Sequence, residues 1–523
     1  MIGTDLDVLT SAGIVRGAAQ AGIAVFLGLP FAAPPVGQLR FRSPQPVAPW
    51  SGVRDATQPG SAAPQVLTGG SAWIYENDGD PDEDCLSLNV WTPGRAGGRP
   101  VMVWFHGGAF QTGHAALPCF NGTRLARDGD VVVVTCNYRL GGLGWLAHPD
   151  LADPATGTWA NWGLQDHRAA LRWVRDNIAA FGGDPGNVTL FGESAGGMTI
   201  AHLARDRANA GLYHRLIAQS PPRRFGYAAT PDLAAAYAEA VAAALGVAVA
   251  DLRTPPADRL QETARQVGRD PAWATHNVGA HPVADGLVIP DESEAVTPPV
   301  PLLVGSTRNE SAMWFTLRNP DGTRASSQPP LREAQIPALL AALLAAYPAA
   351  RLDPAAIRAA YRAALPGASE IARFLELWTD GVFRAPVAAW AAAQTARGFP
   401  AYVYEFAHPS PIAGVGSAHT LEIPFVFGTF DGPFLAPKAG AGPIEADLSA
   451  RMRTIWTTFA RTGDPATTLT GDWPPYDPAR RSVMVLGGPA GQAHLVAAPR
   501  EATRAVWEAA FATNGVPSVD GER

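Results

Sequence analysis

Short, continuous runs of apolar residues recur along the chain and predict strands that are buried on both faces. The clearest runs are residues 100–105, 130–135, 188–191, 301–305 and 401–406. Such runs are typical of the central strands of a parallel sheet, because the connecting helices cover both faces of that sheet.

The segments between these runs carry a different pattern. Between residues 162 and 181 apolar positions recur every three or four residues, and a Gly-Gly-Asp-Pro sequence at 182–185 ends the predicted helix. Strands that alternate with helices in this way predict an α/β fold with a mostly parallel sheet. Residues 8–60 instead alternate short apolar runs with turns, which predicts a small, β-rich N-terminal region.

Two Ala-rich stretches interrupt the alternation of strands and helices. Residues from about 229 to 300, helical up to about 270, and from about 330 to 397 predict helical insertions, to which we assign no chemistry. The chain length alone would allow about three domains. The order of the motifs described below favours a single domain, residues 1–523, with insertions.

The chain is organised around a strand–turn–helix segment at residues 187–198. The sequence Gly192-Glu-Ser-Ala-Gly196 has the form G-x-S-x-G and follows the predicted strand at 188–191. This turn holds its serine in a strained conformation, and free N–H groups of the following helix point to a forming oxyanion. An ordinary glycine-flanked turn would look similar, but the preceding strand and the small residues that follow favour Ser194 as a nucleophile.

A second glycine-rich turn, His106-Gly-Gly-Ala-Phe110, directly follows the predicted strand at 100–105. In folds that carry a G-x-S-x-G turn, the loop after an earlier strand supplies an N–H group to the oxyanion hole. A plain glycine turn is the alternative. The strand before the turn and its position ahead of Ser194 favour the oxyanion hole.

Acyl transfer by a serine needs a base, an acid that orients the base, and donors for the oxyanion. The chain order with this type of turn is serine, acid, histidine, so the base must be a late histidine. His408 and His419 both follow the last predicted strand, and both are candidates on topology. Glu310 follows the strand before it and is the favoured acid. Its rivals, Asp285 and Asp380, do not follow so clear a strand.

Two features near these motifs have both a structural and a functional interpretation. The polar loop at 59–82 contains Trp73 and Tyr75, whose rings either form the wall of a pocket or anchor the loop, with anchoring slightly favoured. Glu193 places a negative charge beside Ser194. That charge either favours cationic or polar alcohol groups or belongs to the packing of the turn.

The composition argues against some classes of binding partner. The formal charge of -7 and the pI near 5.9 argue against nucleic acid or an anionic membrane. No run reaches the ~18 apolar residues that span a bilayer, and the N-terminus lacks the pattern of a secretory signal. Three cysteines fit reduced thiols and predict a cytoplasmic protein. With no metal-ligand cluster and no nucleotide fingerprint in the sequence, we expect no metal and no cofactor.

In their order, these motifs resemble the type-B carboxylesterase (cholinesterase-like, para-nitrobenzyl esterase-like) family of α/β-hydrolases. The resemblance extends from about residue 8 to about residue 490. The matching segments are Glu83-Asp-Cys-Leu-x-Leu-Asn-Val-Trp91, His106-Gly-Gly-Ala-Phe110, Asn137-Tyr-Arg-Leu-Gly141, Asn161-x-Gly-Leu-x-Asp166, Phe181-Gly-Gly-Asp-Pro185, Gly192-Glu-Ser-Ala-Gly-Gly197, Gln219-Ser220, Pro282-Val-x-Asp-Gly286, Ala418-His419, Pro424-Phe-Val-Phe-Gly428, Phe459-Ala-x-Thr-Gly-Asp-Pro465 and Trp473-Pro-x-Tyr476.

The resemblance implies an α/β-hydrolase fold, whose central twisted sheet is mostly parallel and carries helices on both faces. It implies Ser194 as nucleophile and Glu310 as acid. It implies His419 as base, because this histidine lies in the family context A-H-x-x-E-x-x-F-V-F-G. It also makes Arg40 and Glu83 a structural ion pair. The backbone donors that it implies for the oxyanion hole are those of Gly108, Ala109 and Ala195.

The chain departs from the family pattern at three places. The family pairs Cys85 with an upstream cysteine, but the matching segment at 61–65 has alanine there, so we expect no disulfide. His167 stands where the family usually has glutamine. Pro221 stands where it usually has glycine, which changes the backbone near the pocket wall and therefore bears on substrate preference.

The sequence therefore predicts a serine carboxylesterase that hydrolyses small-molecule esters through an acyl-enzyme on Ser194. One alternative keeps the same triad in an acyltransferase, amidase or lactonase specialised for one metabolite. A second alternative, a non-catalytic binding module, is disfavoured because all three triad residues are present. Neither the natural substrate nor the oligomeric state follows from the sequence.

Overall fold

The computed structural model describes most of the chain. The described residues are 6–66, 71–76, 80–222, 228–270, 281–289, 299–326, 328–345, 347, 352–488 and 491–512. Parts of the two predicted insertions, at 271–280, 290–298 and 348–351, lie outside these residues.

The strands of the described residues form two sheets. Their bounds are β1 Asp7–Leu9, β2 Ile14–Arg16, β3 Ala18–Gln20, β4 Ile23–Pro30, β5 Val53–Asp55, β6 Ser87–Thr92, β7 Arg99–Phe105, β8 Val132–Cys136, β9 Gly183–Glu193, β10 Arg215–Gln219, β11 Leu302–Thr307, β12 Ala401–Phe406, β13 Val483–Leu486 and β14 Ala493–Val496. Strands β1, β2 and β5 form a small sheet, and the others form an 11-stranded sheet in the order β14-β13-β12-β11-β10-β9-β7-β8-β6-β4-β3. The small sheet, together with β3 and β4, is the predicted β-rich N-terminal region.

The centre of the large sheet is parallel. Every neighbouring pair from β13 to β8 in the sheet order is parallel. The edge strands, β14 on one side and β6, β4 and β3 on the other, pair in the antiparallel sense. The predicted α/β class with a mostly parallel sheet is confirmed.

Helices cover both faces of this sheet. The α-helices of the described residues are Thr123–Gly129, Gly141–Trp145, Trp162–Asn177, Ala195–Arg205, Pro231–Leu245, Ala257–Val267, Ala312–Phe315, Ile336–Ala345, Pro354–Ala364, Glu370–Thr379, Ala385–Ala396, Ile423–Phe427, Ala436–Ala439, Pro443–Thr462 and Glu501–Ala512. Along β7, Val101 and Val103 enter one core cluster, while Met102 and Trp104 enter another. Because successive side chains of a strand point to opposite faces, both faces of β7 are buried, as its continuous apolar run predicts.

Each predicted helical insertion contributes, in the described residues, to a separate core cluster that it shares with neighbouring segments. The helices Pro231–Leu245 and Ala257–Val267 pack around Tyr237, Val241 and Leu260. The later group of helices packs around residues that include Phe374 and Trp507. The Ala-rich pattern in both stretches therefore reflects helix packing.

The C-terminal part of the large sheet was not predicted. β13 and β14 have four residues each, and a run of that length does not distinguish a strand from a piece of helix. The helix Glu501–Ala512 follows them. β9 also begins at Gly183 rather than at residue 188, because the Gly-Asp-Pro segment that ends the preceding helix is already extended.

The structure agrees with two expectations, an ion pair and a missing disulfide. Arg40 and Glu83 form an ion pair, with Nη2 2.5 Å from Oε1 and Nε 2.8 Å from Oε2. The three cysteines are free and buried, so the disulfide of the family is absent.

Over the residues described, no helix has the length and hydrophobicity to span a bilayer, and no group of His, Cys, Asp and Glu side chains is arranged to hold a metal ion.

Candidate active site

The carboxyl ends of β7 and β9, where open α/β sheets form a crevice for ligands, carry two of the predicted loops. β8 lies on one side of β7, while β9, β10, β11 and β12 extend from its other side. The strand order therefore reverses between β7 and β9, and open α/β sheets bind their ligands at such a switch point. Phe105 and Gly192 are direct partners in these two strands. This register places the loops that follow the two strands side by side.

Ser194 occupies the turn between β9 and the helix Ala195–Arg205. Its φ of 55° and ψ of -117° are a strained conformation for a residue with a side chain. Its N–H donates to the Gln219 carbonyl at 2.9 Å. The turn requires glycine at position 196, where a Cβ would lie 1.9 Å from the Phe105 carbonyl oxygen. Ser194 is half-buried and its chain neighbours are buried, so Ser194 is the residue of the turn that reaches the crevice.

Glu310 and His419 form a short hydrogen-bonded pair beside this turn. His419 Nδ1 donates to Glu310 Oε2 at 2.5 Å. Glu310 Oε1 accepts the Thr307 N–H at 2.7 Å and the Ser220 hydroxyl at 2.6 Å. Both members of the pair are buried. The three donors fix the carboxylate, and the carboxylate fixes the ring with Nδ1 protonated and Nε2 directed elsewhere.

The other ring nitrogen of His419 lies beside Glu193. Nε2 is 3.0 Å from Glu193 Oε1, yet among the described residues neither oxygen of that carboxylate accepts a hydrogen bond of normal geometry. Among the described residues, His419 also makes no hydrogen bond to Ser194 Oγ. Glu193 directly precedes the candidate nucleophile, Ser194, in the chain. In free enzymes the contact between base and nucleophile is often long and tightens when substrate binds.

Three buried carboxyl groups determine the charge around His419. Burial alone would lower the pKa of His419, but the facing carboxylates of Glu193 and Glu310 raise it well above its ordinary value. Burial raises the pKa of Glu193, an effect that His419 opposes. Burial, together with Glu193 and Glu310, raises the pKa of Glu422 to about 8. Glu422 is therefore mostly protonated at neutral pH, while the imidazole holds its proton over a wider pH range than a free histidine.

Several polar residues around this cluster were not assigned a role from the sequence. Gln219 Nε2 donates to Glu422 Oε1 at 3.2 Å, and Gln219 Oε1 accepts the indole N–H of Trp456 at 3.0 Å. Gln219, Ser220 and Glu422 were visible only as letters of family motifs. Their positional signal is that the first two lie at the carboxyl end of β10, next to the end of β9, and that Glu422 follows His419 by three residues.

The loop after β7 turns back over Ser194. Gly108 and Ala109 have φ values of 102° and 55°, and a Cβ on Gly107 would lie 3.2 Å from Ser194 Cβ. The N–H groups of Gly108 and Ala109 donate to no acceptor within the described part of the chain. The N–H of Ala195 is one of the free donors at a helix N-terminus. All three groups are therefore available to an oxyanion at Ser194.

Stacked rings support the base of this loop. His106 Nδ1 donates to the Gly107 carbonyl at 2.8 Å, and its ring stacks on Tyr138 with centroids 4.5 Å apart. The Tyr138 hydroxyl donates to the His106 carbonyl at 3.1 Å. On its far side Tyr138 contacts His167, with ring centroids 4.2 Å apart. His167, which stands where the family usually has glutamine, is fully buried.

Two aromatic rings cover the imidazole of His419. The centroids of Trp314 and Phe383 each lie 5.0 Å from that of His419. Phe383 is fully buried and Trp314 is half-buried. These rings limit the access of water to the Glu310–His419 pair, which strengthens the electrostatic interaction between them.

Comparison with known proteins identifies the family of this chain. The sequence profile described as "Carboxylesterase family" matches residues 4–501. The chain belongs to this family. The para-nitrobenzyl esterase of Bacillus subtilis (strain 168) is 37% identical over 489 residues, which cover 92% of this chain and 94% of that protein. The phenmedipham hydrolase of Pseudarthrobacter oxydans is 35% identical over 494 residues, with coverage of 91% and 94%.

Solved structures of carboxylesterases share the fold. A thermophilic PNB esterase superposes with a TM-score of 0.79 at 35% identity and covers 96% of this chain and 100% of its own. A carboxylesterase of Geobacillus stearothermophilus, solved at pH 6.2, gives a TM-score of 0.79 at 33% identity, with coverage of 96% and 100%. The protein is therefore a carboxylic ester hydrolase with the α/β-hydrolase fold, and both predictions are confirmed.

The rival triad candidates of this carboxylesterase have other partners. His408 Nε2 lies 3.0 Å from Glu445 Oε1. Asp285 Oδ1 accepts three backbone N–H groups of the turn that follows it. Asp380 Oδ1 lies 2.5 Å from Arg384 Nη1. Each of the three rivals has a structural role, which leaves His419 and Glu310 as the candidates for base and acid.

The residues predicted to line the pocket are mostly buried. Trp73 and Tyr75 are 2% and 4% exposed, and the indole N–H of Trp73 donates to the Arg318 carbonyl at 2.9 Å. These contacts favour the anchoring interpretation. Pro221 is buried beside the helix that begins after Ser194, and Glu193 contacts His419. Contact of any of the four with substrate stays a prediction.

Replacement of Glu193 by glutamine should shift the pH dependence of the esterase. Loss of this negative charge beside Nε2 lowers the pKa of His419, because one of the two carboxylates that stabilise the imidazolium is gone. We expect the acid limb of kcat/KM to move to lower pH by about 1 unit or more. The measurement is kcat/KM for p-nitrophenyl acetate from pH 5 to pH 9. Glu83→Gln, which alters an ion pair elsewhere, is the control, and an unchanged limb in Glu193→Gln would contradict the proposed coupling.

His167 should make the fold sensitive to acid. Burial holds the pKa of this imidazole well below 6.5, so the ring stays neutral in the native state. Below pH 6.5 the unfolded chain binds a proton that the native state does not, and stability falls by about 1.4 kcal/mol per pH unit. Between pH 8 and pH 5, the free energy of unfolding of His167→Gln should therefore fall by about 2 kcal/mol less than that of the natural protein. Urea unfolding at the two pH values measures the difference.

The control for this prediction is His494→Gln, which removes an exposed histidine. The free energy of unfolding of this variant should change between pH 8 and pH 5 by the same amount as that of the natural protein. Equal acid sensitivity of His167→Gln and the natural protein would show that His167 is not kept neutral by the fold.

Proposed function

We propose that the protein hydrolyses esters through an acyl-enzyme on Ser194, with His419 as general base and Glu310 as the group that orients it. The observation that carries this proposal is the 2.5 Å hydrogen bond from His419 Nδ1 to Glu310 Oε2, at the crevice that holds the Ser194 turn. A carboxylate on Nδ1 selects the tautomer whose Nε2 accepts a proton from a serine hydroxyl.

Acylation uses the groups of the crevice in sequence. Nε2 of His419 takes the hydroxyl proton of Ser194 as Oγ attacks the ester carbonyl carbon. The oxyanion that forms is held by the N–H groups of Gly108, Ala109 and Ala195. His419 then returns its proton to the departing alcohol oxygen, and the acyl group remains on Ser194 as an ester.

Deacylation repeats the same steps with water. His419 takes a proton from a water molecule, whose oxygen attacks the acyl carbonyl within the same oxyanion hole. The carboxylic acid leaves as the proton returns to Ser194 Oγ. No group outside the chain, the substrate and water is required.

The charge of the site favours uncharged esters. The carboxylates of Glu193 and Glu310 lie in the buried centre beside His419, so an anionic group close to the reacting carbonyl would be repelled. The relatives named for para-nitrobenzyl esters and for phenmedipham hydrolysis add aromatic compounds to the substrates worth testing. We therefore propose neutral esters, including those of aromatic alcohols, as the substrate class.

The test is hydrolysis of p-nitrophenyl esters from acetyl to dodecanoyl, and of p-nitrobenzyl acetate, by the natural protein and by Ser194→Ala. We expect turnover by the natural protein that falls by at least ~10⁴-fold in the variant. Persistent turnover in a folded Ser194→Ala would exclude Ser194 as the nucleophile. The preferred acyl length would report the acyl pocket.

Acyl transfer is the second candidate, because the triad is the same and only the acceptor differs. Adding alcohols or amines to the reaction separates the two functions. An ester or amide product that exceeds the free acid at millimolar acceptor would establish a transferase. A folded protein without turnover on any ester would instead support a binding role.

We also propose a cytoplasmic location, which rests on the three unpaired and buried cysteines. Fractionation of the source cells checks it. Recovery of the protein outside the cytoplasm would contradict it.

A further inference from the structure

A π-helix, Asp380–Arg384, lies between the helices Glu370–Thr379 and Ala385–Ala396. Turns of this type are rare inside helices and often occur at functional sites. From the sequence, Asp380 was a rival candidate for the acid, and the other residues of this π-helix were assigned no chemistry.

The last two residues of the π-helix contact the base and the loop that carries the acid. The Phe383 ring lies 5.0 Å from the ring of His419. Arg384 Nη2 donates to the backbone carbonyl of Arg308, which precedes Glu310 by two residues. One short segment therefore touches the base directly and the loop of the acid through a hydrogen bond.

The guanidinium of Arg384 is itself held from several sides. Nη1 lies 2.5 Å from Asp380 Oδ1 and 2.7 Å from Glu376 Oε1, and Nε lies 3.6 Å from Glu405 Oε2. The side chain is 11% exposed. These carboxylates fix the direction in which Nη2 points, and hence the position of the Arg308 carbonyl.

Two further arginines complete a partly buried cluster. Arg500 lies 3.0 Å from Glu376 Oε1 and 2.6 Å from Glu405 Oε2. Arg308 Nε lies 2.8 Å from Glu405 Oε1. We call this group the arginine–carboxylate cluster; its members are Arg308, Arg384, Arg500, Glu376, Asp380 and Glu405.

The charges of the cluster hold its members together. Its three arginines and three carboxylates balance, and loss of Arg384 would remove a partner from the buried carboxylates of Asp380 and Glu405. Through Arg500 the cluster also ties the start of the C-terminal helix Glu501–Ala512 to β12 and to the helix before the π-helix.

The loop of the acid is tied to the loop of the base on its other side. The Asn309 N–H donates to the Ser417 carbonyl at 2.9 Å, and Asn309 Oδ1 accepts the Ser417 N–H at 3.0 Å. Glu310 thus lies between a fixed contact to the histidine loop and the carbonyl that Arg384 holds. A shift of Arg308 would change the geometry of the Glu310–His419 hydrogen bond.

We propose that Arg384 is a positioning residue for catalysis: with Phe383 it sets the geometry between Glu310 and His419, and the arginine–carboxylate cluster holds it in place. The proposal rests on the Ser194–His419–Glu310 mechanism proposed above.

The test compares Arg384→Met and Arg384→Lys with the natural protein. Arg384→Met should lower kcat by about 10–100-fold with KM unchanged, because sub-ångström displacement of a catalytic pair reduces turnover without affecting ground-state binding. Arg384→Lys keeps the charge and a donor and should recover most of that loss. The low-field proton resonance of His419 Nδ1–H, which reports the hydrogen bond to Glu310, should shift or broaden in Arg384→Met.

Arg40→Met is the matched control. It breaks an arginine–carboxylate pair of similar burial that has no contact with the triad. It should lower Tm as Arg384→Met does, yet leave kcat and the His419 resonance unchanged. An Arg384→Met variant that loses Tm but keeps kcat and the resonance would overturn the proposal and make the cluster purely structural.

Two further measurements separate the possible failures. If Arg384→Met does not fold, Glu376→Gln removes one anchor of Arg384 while keeping the side-chain shape, and should cause a smaller loss of kcat with the same resonance shift. If Ser194→Ala remains active, the proposed mechanism fails. The His419 resonance in Arg384→Met then still decides whether Arg384 positions the pair.

Discussion

Replacement of His419 by alanine should lower kcat/KM for p-nitrophenyl acetate by about 10⁴-fold or more. The imidazole is the proposed carrier of the serine proton in both half-reactions, and its loss leaves only binding and the oxyanion donors. Its ring is fixed by the 2.5 Å hydrogen bond to Glu310 Oε2, so the alanine variant loses both the base and its orientation. Initial rates at several substrate concentrations, with circular dichroism to establish folding, measure the effect.

His408→Ala is the control for this prediction. Both histidines follow β12, but His408 faces Glu445 and the Gly488 carbonyl. Its loss should lower stability and leave kcat/KM within a few-fold of the natural value. Normal turnover in His419→Ala would exclude His419 as the base, and loss of turnover in His408→Ala alone would assign that role to His408.

Gly108→Ala should also cause a large loss of turnover, smaller than that of His419→Ala. The φ of Gly108 is 102°, and a Cβ would lie 2.0 Å from the Thr112 carbonyl oxygen, so the loop must move to admit a methyl group. Movement withdraws the N–H groups of Gly108 and Ala109 from the oxyanion. Loss of one such donor lowers kcat by about 10²–10³-fold, and kcat for p-nitrophenyl acetate is the measurement.

Gly157→Ala is a suitable control, because Gly157 also has a positive φ, 73°, but nothing lies within 4 Å of its Cβ position. It should lose some stability from backbone strain and keep its activity. If Gly108→Ala folds and retains normal kcat, the loop after β7 does not supply the oxyanion donors.

The local parts of the site followed from the sequence because their causes are local. A glycine-flanked serine after a buried strand predicts a sharp turn, and Ser194 has the strained conformation that such a turn requires. The continuous apolar run of β7 predicts burial on both faces, and its side chains alternate between two core clusters.

The spacing of residues along the chain did not identify which histidine is the base. On topology alone His408 and His419 were equivalent, because both lie on the loop side of β12, and only the family context separated them. The structure separates them by their contacts: His419 Nδ1 reaches a carboxylate 109 residues away in the chain, and His408 reaches a different one.

The sequence did not predict residues whose properties depend on their buried neighbours in the folded protein. Glu422 has no sequence pattern that signals a pKa of about 8, since that shift arises from burial and from two carboxylates on other segments. The contact of Phe383 with His419 depends on a π-helix, and an Ala-rich helical pattern does not reveal one wide turn.

The sequence alone predicts the α/β class, the turn at Ser194 and the glycine-rich loop after β7, because periodicity and backbone sterics act over a few residues. The late histidine as base stays a prediction. The remaining features depend on contacts between segments that are distant in the chain. Strand register brings Phe105 beside Gly192, the ends of β10 and β11 supply Ser220 and the Glu310 loop, and burial of several carboxyl groups around one imidazole sets their protonation. These are long-range effects of packing and desolvation, which no local pattern of residues encodes.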